Sequence, residues 1–129
     1  MAIRSRSTAG CTLSESHVFS PFARSSASTW TSVGDGVRRQ ILNHDDALMM
    51  VAVEFRKGAV GAVHHHPHRQ ITYVADGRFE ITVGDERQVL TKGDCFFAPP
   101  DVEHGVRALA DGTLVDVFAP AREDLLGDA

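Results

Sequence analysis

The segment His64–Gln70 (HHHPHRQ) packs four histidines into five positions and ends on a glutamine. His64 and His66 are two residues apart, so in an extended strand both imidazoles point to the same face. Imidazole is the commonest side-chain metal ligand, and two on one face form half of a metal site. Gln70 adds an amide oxygen, and His104 supplies another imidazole from a distant segment. Such a set would leave coordination positions open, as a catalytic metal requires.

A polar loop exposed to solvent explains the same histidines equally well from composition alone. A purification tag does not, because the tract is internal, short and interrupted by Pro67. Strand alternation directs His65 away from its two neighbours. His68 is expected to support a metal ligand, to contact the substrate or to be solvated, and we favour solvation.

The segment Thr113–Phe118 (TLVDVF) places a carboxylate in an apolar strand. Asp116 shares its face with Phe118, while valines occupy the other face. Burying an unpaired carboxylate is unfavourable, so Asp116 should have either an ion-pair partner or a functional role. An ion pair with Arg107 or Arg122 is the structural explanation, and proton transfer in an active site is the functional one.

The length and composition of the chain indicate one small domain. The chain has 129 residues, of which 43% are hydrophobic and 23% charged, with a net charge of −4. That charge gives no reason to expect nucleic-acid binding, and no apolar run reaches the ~20 residues of a membrane span. Two cysteines far apart do not form a disulfide framework, so we expect a cytoplasmic protein.

The first 29 residues differ in composition from the rest. They are rich in Ser, Thr, Ala and Arg, and Glu15 is their only acidic residue. An organelle transit peptide has a similar composition but also an amphipathic helix, for which the pattern here is not convincing. We therefore expect a mobile extension, or a start codon assigned too early, over residues 1–29 and a folded domain over residues 30–126.

Short apolar stretches separated by Gly, Pro and Asp turns predict about eight strands and an all-β sandwich or barrel. Cys95, flanked by Phe in one of them, is expected to be a small buried residue. The predicted strands are Val37–Asn43, Ala47–Phe55, Gln70–Ala75, Arg78–Val83, Arg87–Leu90, Cys95–Ala98, Val106–Leu109 and Thr113–Phe118.

Two motifs resemble those of the cupin family. From Gly58 to Gly77 the chain follows G-x5-H-x-H-x3-Q-x6-G, with Gln70 where cupins usually have Glu. From Gly93 to Ala108 it keeps the Gly, Pro and His of the second motif but lacks that motif's second Gly and its Asn. The resemblance implies a single-domain jelly-roll β-barrel. It also implies one bound metal ion, with the ligands His64, His66, Gln70 and His104.

A glutamine ligand carries no charge, so the site stays more cationic and the ion is a stronger Lewis acid. Iron oxygenases more commonly use a carboxylate in this role. The mixed nitrogen and oxygen donors do not fix the divalent metal, and nickel, zinc, iron, manganese and copper all stay open.

A closer resemblance is to cupins of the KdgF type, a family of pectin degradation. It covers nearly all of residues 30–125, although Arg69 stands where that pattern has Glu. The shared features are Trp30 with Gly36–Arg39, Lys57–Gly61, His64–Gln70 with Tyr73, Pro99–Gly105, and Asp116–Phe118 with Pro120 and Arg122–Asp124.

That resemblance implies an enzyme that opens 4,5-unsaturated monouronates from pectin or alginate to linear 5-keto-4-deoxyuronates. Asp116, Phe118 and Arg122 then take the catalytic and substrate-side positions. The alternatives are a small cupin dioxygenase or sugar isomerase, or a sugar-binding cupin without catalysis.

We expect a small-molecule uronate as the partner of this chain, with no nucleic acid and no membrane. A homodimer is also expected, because cupin barrels often pair through open sheet edges. Val37–Asn43 and Ala47–Phe55 are the candidate interface strands.

Overall fold

A computed structural model describes residues 20–126 of the chain. In these residues ten strands form two antiparallel sheets, which confirms the all-β prediction. The strands are β1 Thr31–Gly34, β2 Val37–His44, β3 Met49–Phe55, β4 Val60–His64, β5 Arg69–Asp76, β6 Arg78–Val83, β7 Glu86–Thr91, β8 Cys95–Ala98, β9 His104–Ala108 and β10 Gly112–Ala119. The larger sheet has the order β1-β2-β3-β10-β5-β8 and the smaller sheet the order β4-β9-β6-β7.

Helical structure is minor in the described part of the chain. A 3-10 turn covers Ser25–Ala27 before the first strand, and the four-residue helix α1 covers Glu123–Leu126 after the last. Among residues 20–126, no helix has the length and apolar character needed to cross a membrane.

The apolar core lies between the two sheets and has two clusters. Phe79, fully buried, meets Phe55 edge to face at 5.3 Å between ring centroids, as aromatic pairs prefer. The second cluster, which includes Met49 and Phe118, lies at the other end of β10. Alternation along the strands produces this core, because every second side chain points inward.

Strand pairing brings the functional candidates to one end of the barrel. In the larger sheet, Asp116 of β10 lies opposite Thr72 of β5, and Phe118 lies opposite Gln70. In the smaller sheet, His64 of β4 lies opposite His104 of β9. The candidate site therefore lies between the two sheets.

Two strands, β1 and β4, were not predicted, and neither shows alternating burial. β1 is exposed along its whole length, and β4 is exposed at every position except Gly61. The third strand also begins later than predicted, at Met49. The carboxylate of Asp45 accepts hydrogen bonds from the backbone of Ala47 and Leu48, which holds these residues in a turn.

The expected open edges of the two candidate interface strands and the expected burial of Cys95 are wrong, whereas the homodimer itself stays a prediction. β2 and β3 do not offer open edges, because β1 pairs with β2 and β10 pairs with β3. The terminal strands of the larger sheet are β1 and β8. Cys95 is exposed, since β8 is a terminal strand and this side chain points away from the core.

Residues 20–30 pack against β2. The amide of Gln40, 1% exposed, donates to the carbonyl oxygens of Ser25 and Ser28. The guanidinium of Arg38 lies 4.4 Å from the ring centroid of Trp30. The domain boundary at residue 30 stays a prediction, and the part of the expected extension over residues 1–19 lies outside the described residues.

Candidate metal centre

Three histidines meet at one end of the barrel. Ring nitrogens of His64, His66 and His104 all lie within 4.8 Å of one another. His64 ends β4, His104 begins β9, and His66 lies in the connection between β4 and β5. His66 and His104 are buried, whereas His64 is exposed. The cluster could hold one metal ion, with one side facing solvent.

Backbone carbonyl groups fix the orientation of all three rings. In each ring Nδ1 lies within hydrogen-bond distance of a carbonyl oxygen two residues away. The pairs are His64 with Ala62 at 2.8 Å, His66 with His68 at 3.1 Å, and His104 with Val102 at 3.0 Å. In a neutral imidazole this arrangement puts the proton on Nδ1 and leaves the lone pair of Nε2 for a metal ion.

The donor set fits a cation. Nε2 of His104 is buried and has no hydrogen-bond partner. Nε2 of His66 lies 2.9 Å from Oε1 of Gln70. With the proton of His66 on Nδ1, both of these atoms are hydrogen-bond acceptors. Two buried acceptors repel each other at this distance, and a shared cation removes the repulsion.

Burial also keeps the ligands neutral. Desolvation is the main cause that lowers the pKa of both His66 and His104. The positive charges of Arg122 and His64 lower both values further. Neutral imidazole is the form that binds metal ions, so the lowered pKa values extend metal binding to pH values below the usual histidine pKa.

Gln70 is 6% exposed and belongs to a buried polar chain. Its Nε2 donates to Oγ1 of Thr72 at 2.9 Å and, more weakly, to Oδ1 of Asp116 at 3.4 Å. The hydroxyl of Thr72 in turn donates to the same Oδ1 at 2.7 Å. Thr72 was not among the predicted site residues, although alternation along β5 places it on the face of Gln70.

Asp116 is partly buried, and desolvation raises the pKa of its carboxyl from 3.8 to about 6. The hydrogen bond from Thr72 and the positive charge of Arg122 oppose that rise. A pKa near neutrality lets one group both accept and donate a proton. The ion pair considered for Asp116 is not formed with Arg122, whose guanidinium pairs with Asp124 instead.

Arg122 is held beside the site. Its side chain is 13% exposed, and Nε and Nη2 donate to the two carboxylate oxygens of Asp124 at 2.9 and 2.7 Å. The guanidinium carbon lies 5.1 Å from the ring centroid of Phe118, and this ring meets His66 edge to face at 5.8 Å. The three predicted substrate-side residues thus adjoin the histidine cluster.

The other two histidines of the tract differ from each other. His65 is exposed, as expected, although it lies just beyond the end of β4. His68 was expected above all to be solvated, and its side chain is half-buried. Its ring lies 5.4 Å from that of His66, and its Nδ1 is buried with no hydrogen-bond partner.

A groove of about 600 Å³ lies at the opposite end of β10, between Val37, Phe55 and Gly112. None of the predicted site residues lines it. The histidine cluster is therefore the candidate site on chemical grounds.

Comparison with known proteins gives the family. Residues 51–118 match the family described as Cupin domain. The chain is 46% identical over 99 residues to the Pectin degradation protein KdgF of Dickeya dadantii (strain 3937), an alignment that covers 75% of this chain and 90% of that one. The chain is a cupin of the KdgF family.

Solved structures agree with this assignment. An RmlC-like cupin from Shewanella frigidimarina NCIMB 400 superposes with a TM-score of 0.80 at 42% identity, over 82% of this chain and 96% of that one. The structure of KdgF from Halomonas sp. superposes with a TM-score of 0.78 at 40% identity, over 81% and 98%.

In this KdgF-family chain, Asp101 replaces the second glycine of the second cupin motif. Its φ is +64°, so the left-handed backbone conformation is kept without glycine. The amide of Asp101 donates to the carbonyl oxygen of His66 at 2.8 Å. The left-handed turn thus ties the loop before β9 to a histidine of the site.

Proposed function

We propose that this chain binds one divalent transition metal ion through His64, His66, Gln70 and His104 and opens 4,5-unsaturated monouronates. The product is the linear 5-keto-4-deoxyuronate. The observation that carries this proposal is the half-buried carboxylate of Asp116, hydrogen-bonded to Thr72 and more weakly to the predicted glutamine ligand beside the histidine cluster. The relative of known role is named for pectin degradation, which supplies the substrate class.

Ring opening is an isomerisation that moves one proton. The C1 hydroxyl loses its proton, and C1 becomes an aldehyde as its bond to the ring oxygen breaks. The released electron pair forms the C5 carbonyl, and the electrons of the C4=C5 bond take up a proton at C4. Atoms and charge balance without water or an oxidant.

Asp116 is the group that can move this proton. With a pKa of about 6 it is mostly ionised at neutral pH, so it can accept the proton of the C1 hydroxyl. The same pKa leaves the acid form within reach for delivery to C4. General acid–base catalysis of this kind contributes about 10²–10⁴-fold to a rate.

Arg122 and Phe118 would orient the sugar. Asp124 occupies the Nε and Nη2 side of the guanidinium, which leaves the rest of the planar group for the substrate carboxylate. The ring of Phe118 lies beneath this guanidinium and excludes water from the site. A bound divalent ion would add Lewis-acid stabilisation of negative charge on a substrate oxygen.

Loss of ultraviolet absorbance tests the proposal, because the conjugated C4=C5 bond absorbs and the keto product does not. Purified protein is mixed with unsaturated galacturonate and with its alginate-derived counterpart. We expect loss much faster than the spontaneous rate, abolished by a chelator and by His104→Ala. His65→Ala, a change at the exposed neighbour, is the matched control and should keep full activity.

An absorbance that decays at the spontaneous rate, with metal demonstrably bound, would refute the ring-opening proposal. Oxygen consumption would then be measured, since a dioxygenase on the same barrel consumes oxygen. Binding of either sugar without turnover would instead favour a sugar-binding cupin.

We also propose that two copies pair through the outer face of the larger sheet. Four neighbouring apolar side chains on this face are 42–50% exposed: Met50, Ile71, Tyr73 and Phe97. Strand register places Ile71 beside Phe97, and Val117 lies between Ile71 and Met50. Contiguous apolar faces of this kind are typical of interfaces.

Sedimentation velocity tests the pairing. Ile71→Lys should shift a dimer towards monomer, because it places a charge in the centre of the face. Val89→Lys is the control, since Val89 is 51% exposed on β7 of the smaller sheet. A monomeric wild type at micromolar concentration would contradict this proposal.

A further inference from the structure

We propose that Thr72 is a positioning residue whose hydroxyl group orients both the Gln70 amide towards the metal and the Asp116 carboxylate towards the substrate. This inference rests on the proposed metal site and deepens it. Thr72 is 0% exposed and lies in the centre of β5, directly opposite Asp116 in the register.

The direction of the hydrogen bonds follows from the atoms involved. Nε2 of Gln70 can only donate, so Oγ1 of Thr72 must accept at their 2.9 Å separation. The single hydroxyl proton of Thr72 is then free to point to Oδ1 of Asp116, 2.7 Å away. The chain therefore runs one way, from amide through hydroxyl to carboxylate.

This direction determines which end of the amide faces the histidines. With Nε2 held by Thr72, the carbonyl oxygen Oε1 is the atom 2.9 Å from Nε2 of His66. If the amide rotated by half a turn, its NH₂ group would face the ion and repel it. Because Asp116 takes the hydroxyl proton of Thr72, Oγ1 can only accept from the amide, and the hydroxyl therefore selects the rotamer in which Gln70 can act as a ligand.

A carboxylate ligand would need no such selection, because its two oxygens are equivalent. The requirement arises from the replacement of the usual cupin Glu by Gln70. Thr72 thus compensates for the asymmetry that an amide brings to the site.

The same chain selects an oxygen of Asp116. Both Thr72 and Gln70 donate to Oδ1, so a proton carried by Asp116 must be on Oδ2 while these bonds hold. The carboxylate cannot rotate freely about its terminal bond without breaking them. Thr72 thereby presents one defined oxygen to the substrate.

A purely structural role makes a different prediction. If Thr72 is only a β-branched residue that fills the barrel, valine, which has the same shape, should replace it without loss. If the hydroxyl matters, Thr72→Val should be defective and Thr72→Ser, which keeps the hydroxyl and loses the methyl group, should be rescued.

Metal titration separates the two roles without any sugar. Nickel or zinc ions are added to metal-free protein in competition with a chromophoric chelator. We expect Thr72→Val to bind the ion about 10–100-fold more weakly than wild type, the usual effect of losing a hydrogen bond to a ligand. Thr72→Ser should bind close to wild type.

Equal affinity of wild type and Thr72→Val would overturn the inference, as would a Thr72→Ser variant as weak as Thr72→Val. Thermal melting of the metal-free proteins checks that each variant folds. If Thr72→Val does not fold, the pair Thr72→Ala and Thr72→Ser isolates the hydroxyl in the same titration, and equal affinities in that pair overturn it.

Steady-state kinetics at saturating metal gives the second readout. We expect Thr72→Val to lower kcat more than it raises KM, because Asp116 loses its orientation while Arg122 and Phe118 are untouched. If the wild type binds metal but shows no ring opening, the proposed reaction is refuted. The metal titration then still tests the role of Thr72. A wild type that binds no metal refutes the metal site and the role of Thr72 together.

Discussion

The replacement Asp116→Asn should remove activity and at the same time stabilise the metal-free protein. Asparagine has nearly the shape of aspartate, and its carbonyl oxygen can still accept the hydrogen bond of Thr72. The change therefore removes the charge and the titrating proton while most of the packing is kept.

The size of the stabilisation expected from Asp116→Asn follows from the pKa of Asp116. Burial raises it from 3.8 to about 6, so the folded state disfavours the ionised carboxylate. Each unit of pKa difference corresponds to about 1.4 kcal/mol, which gives a penalty of about 3 kcal/mol once the group is fully ionised in both states. This is an upper limit, because the new amide NH₂ group also needs a partner.

The raised pKa of Asp116 also determines how the free energy of unfolding changes with pH. Between pH 3.8 and about 6 the folded protein binds more protons at Asp116 than the unfolded chain does. The contribution of this residue to the free energy of unfolding is therefore greatest at pH 4 and falls as the pH rises to about 6. The Asp116→Asn variant has no carboxyl group to titrate at this position. Its free energy of unfolding relative to wild type should therefore increase from pH 4 and level off above pH 6.

Urea denaturation of the metal-free wild type and Asp116→Asn, at intervals between pH 4 and pH 8, measures this difference. Other titrating groups cancel in the comparison. The metal-loaded variant should also lose about 10²–10⁴-fold in kcat. A variant that is no more stable than wild type at pH 7, or one that keeps full activity with metal bound, would refute the argument.

Three further outcomes are expected. Asp101→Ala should lower the free energy of unfolding by about 1 kcal/mol and Asp101→Gly should not, because the φ of +64° disfavours a Cβ without a polar side chain; chemical denaturation measures both. Because burial lowers the pKa of His66 and His104, the metal-free protein should lose stability as the pH falls below the ordinary histidine value of 6.5, and replacing His104 with Gln should reduce this loss in urea titrations at several pH values. Phe79→Ala should cost about 3–5 kcal/mol of unfolding free energy, measured in the same way, because this ring is fully buried between the sheets.

Among the strands predicted from the sequence, β5 has the clearest alternation of burial. In β5, Gln70 and Val74 point inward while Ile71 and Tyr73 point outward, and this alternation is visible in the residue types. β1 and β4 have no such alternation, since most of their side chains are exposed, so their existence depends on pairing with β2 and β9.

The histidine cluster could be predicted because its spacing is a motif, but the geometric reason was only partly right. His64 ends a strand and His66 lies beyond it, so the two rings do not share the face of one regular strand. They meet because the chain turns between β4 and β5. Pro67 and the bond from Asp101 to the carbonyl of His66 accompany this turn.

Contacts between distant strands could not be predicted. Thr72 and Asp116 are 44 residues apart, and only the pairing of β5 with β10 reveals that they are partners. The pairing of Arg122 with Asp124 is local, yet its packing on Phe118 depends on the path of the chain after β10. Hydrophobic periodicity shows which side chains share a face of a strand, but it does not show which strand pairs with it.

The predicted ligands are divided between the two sheets, with His64 and His104 on the smaller and Gln70 on the larger. An ion bound by all of them would fasten one end of the barrel much as a cross-link does. At a free metal concentration of 100 times Kd it would add about 2.7 kcal/mol to the unfolding free energy. Because the sheets would have to release the ion before they separate, the loaded protein should outlive the metal-free protein in protease digestion.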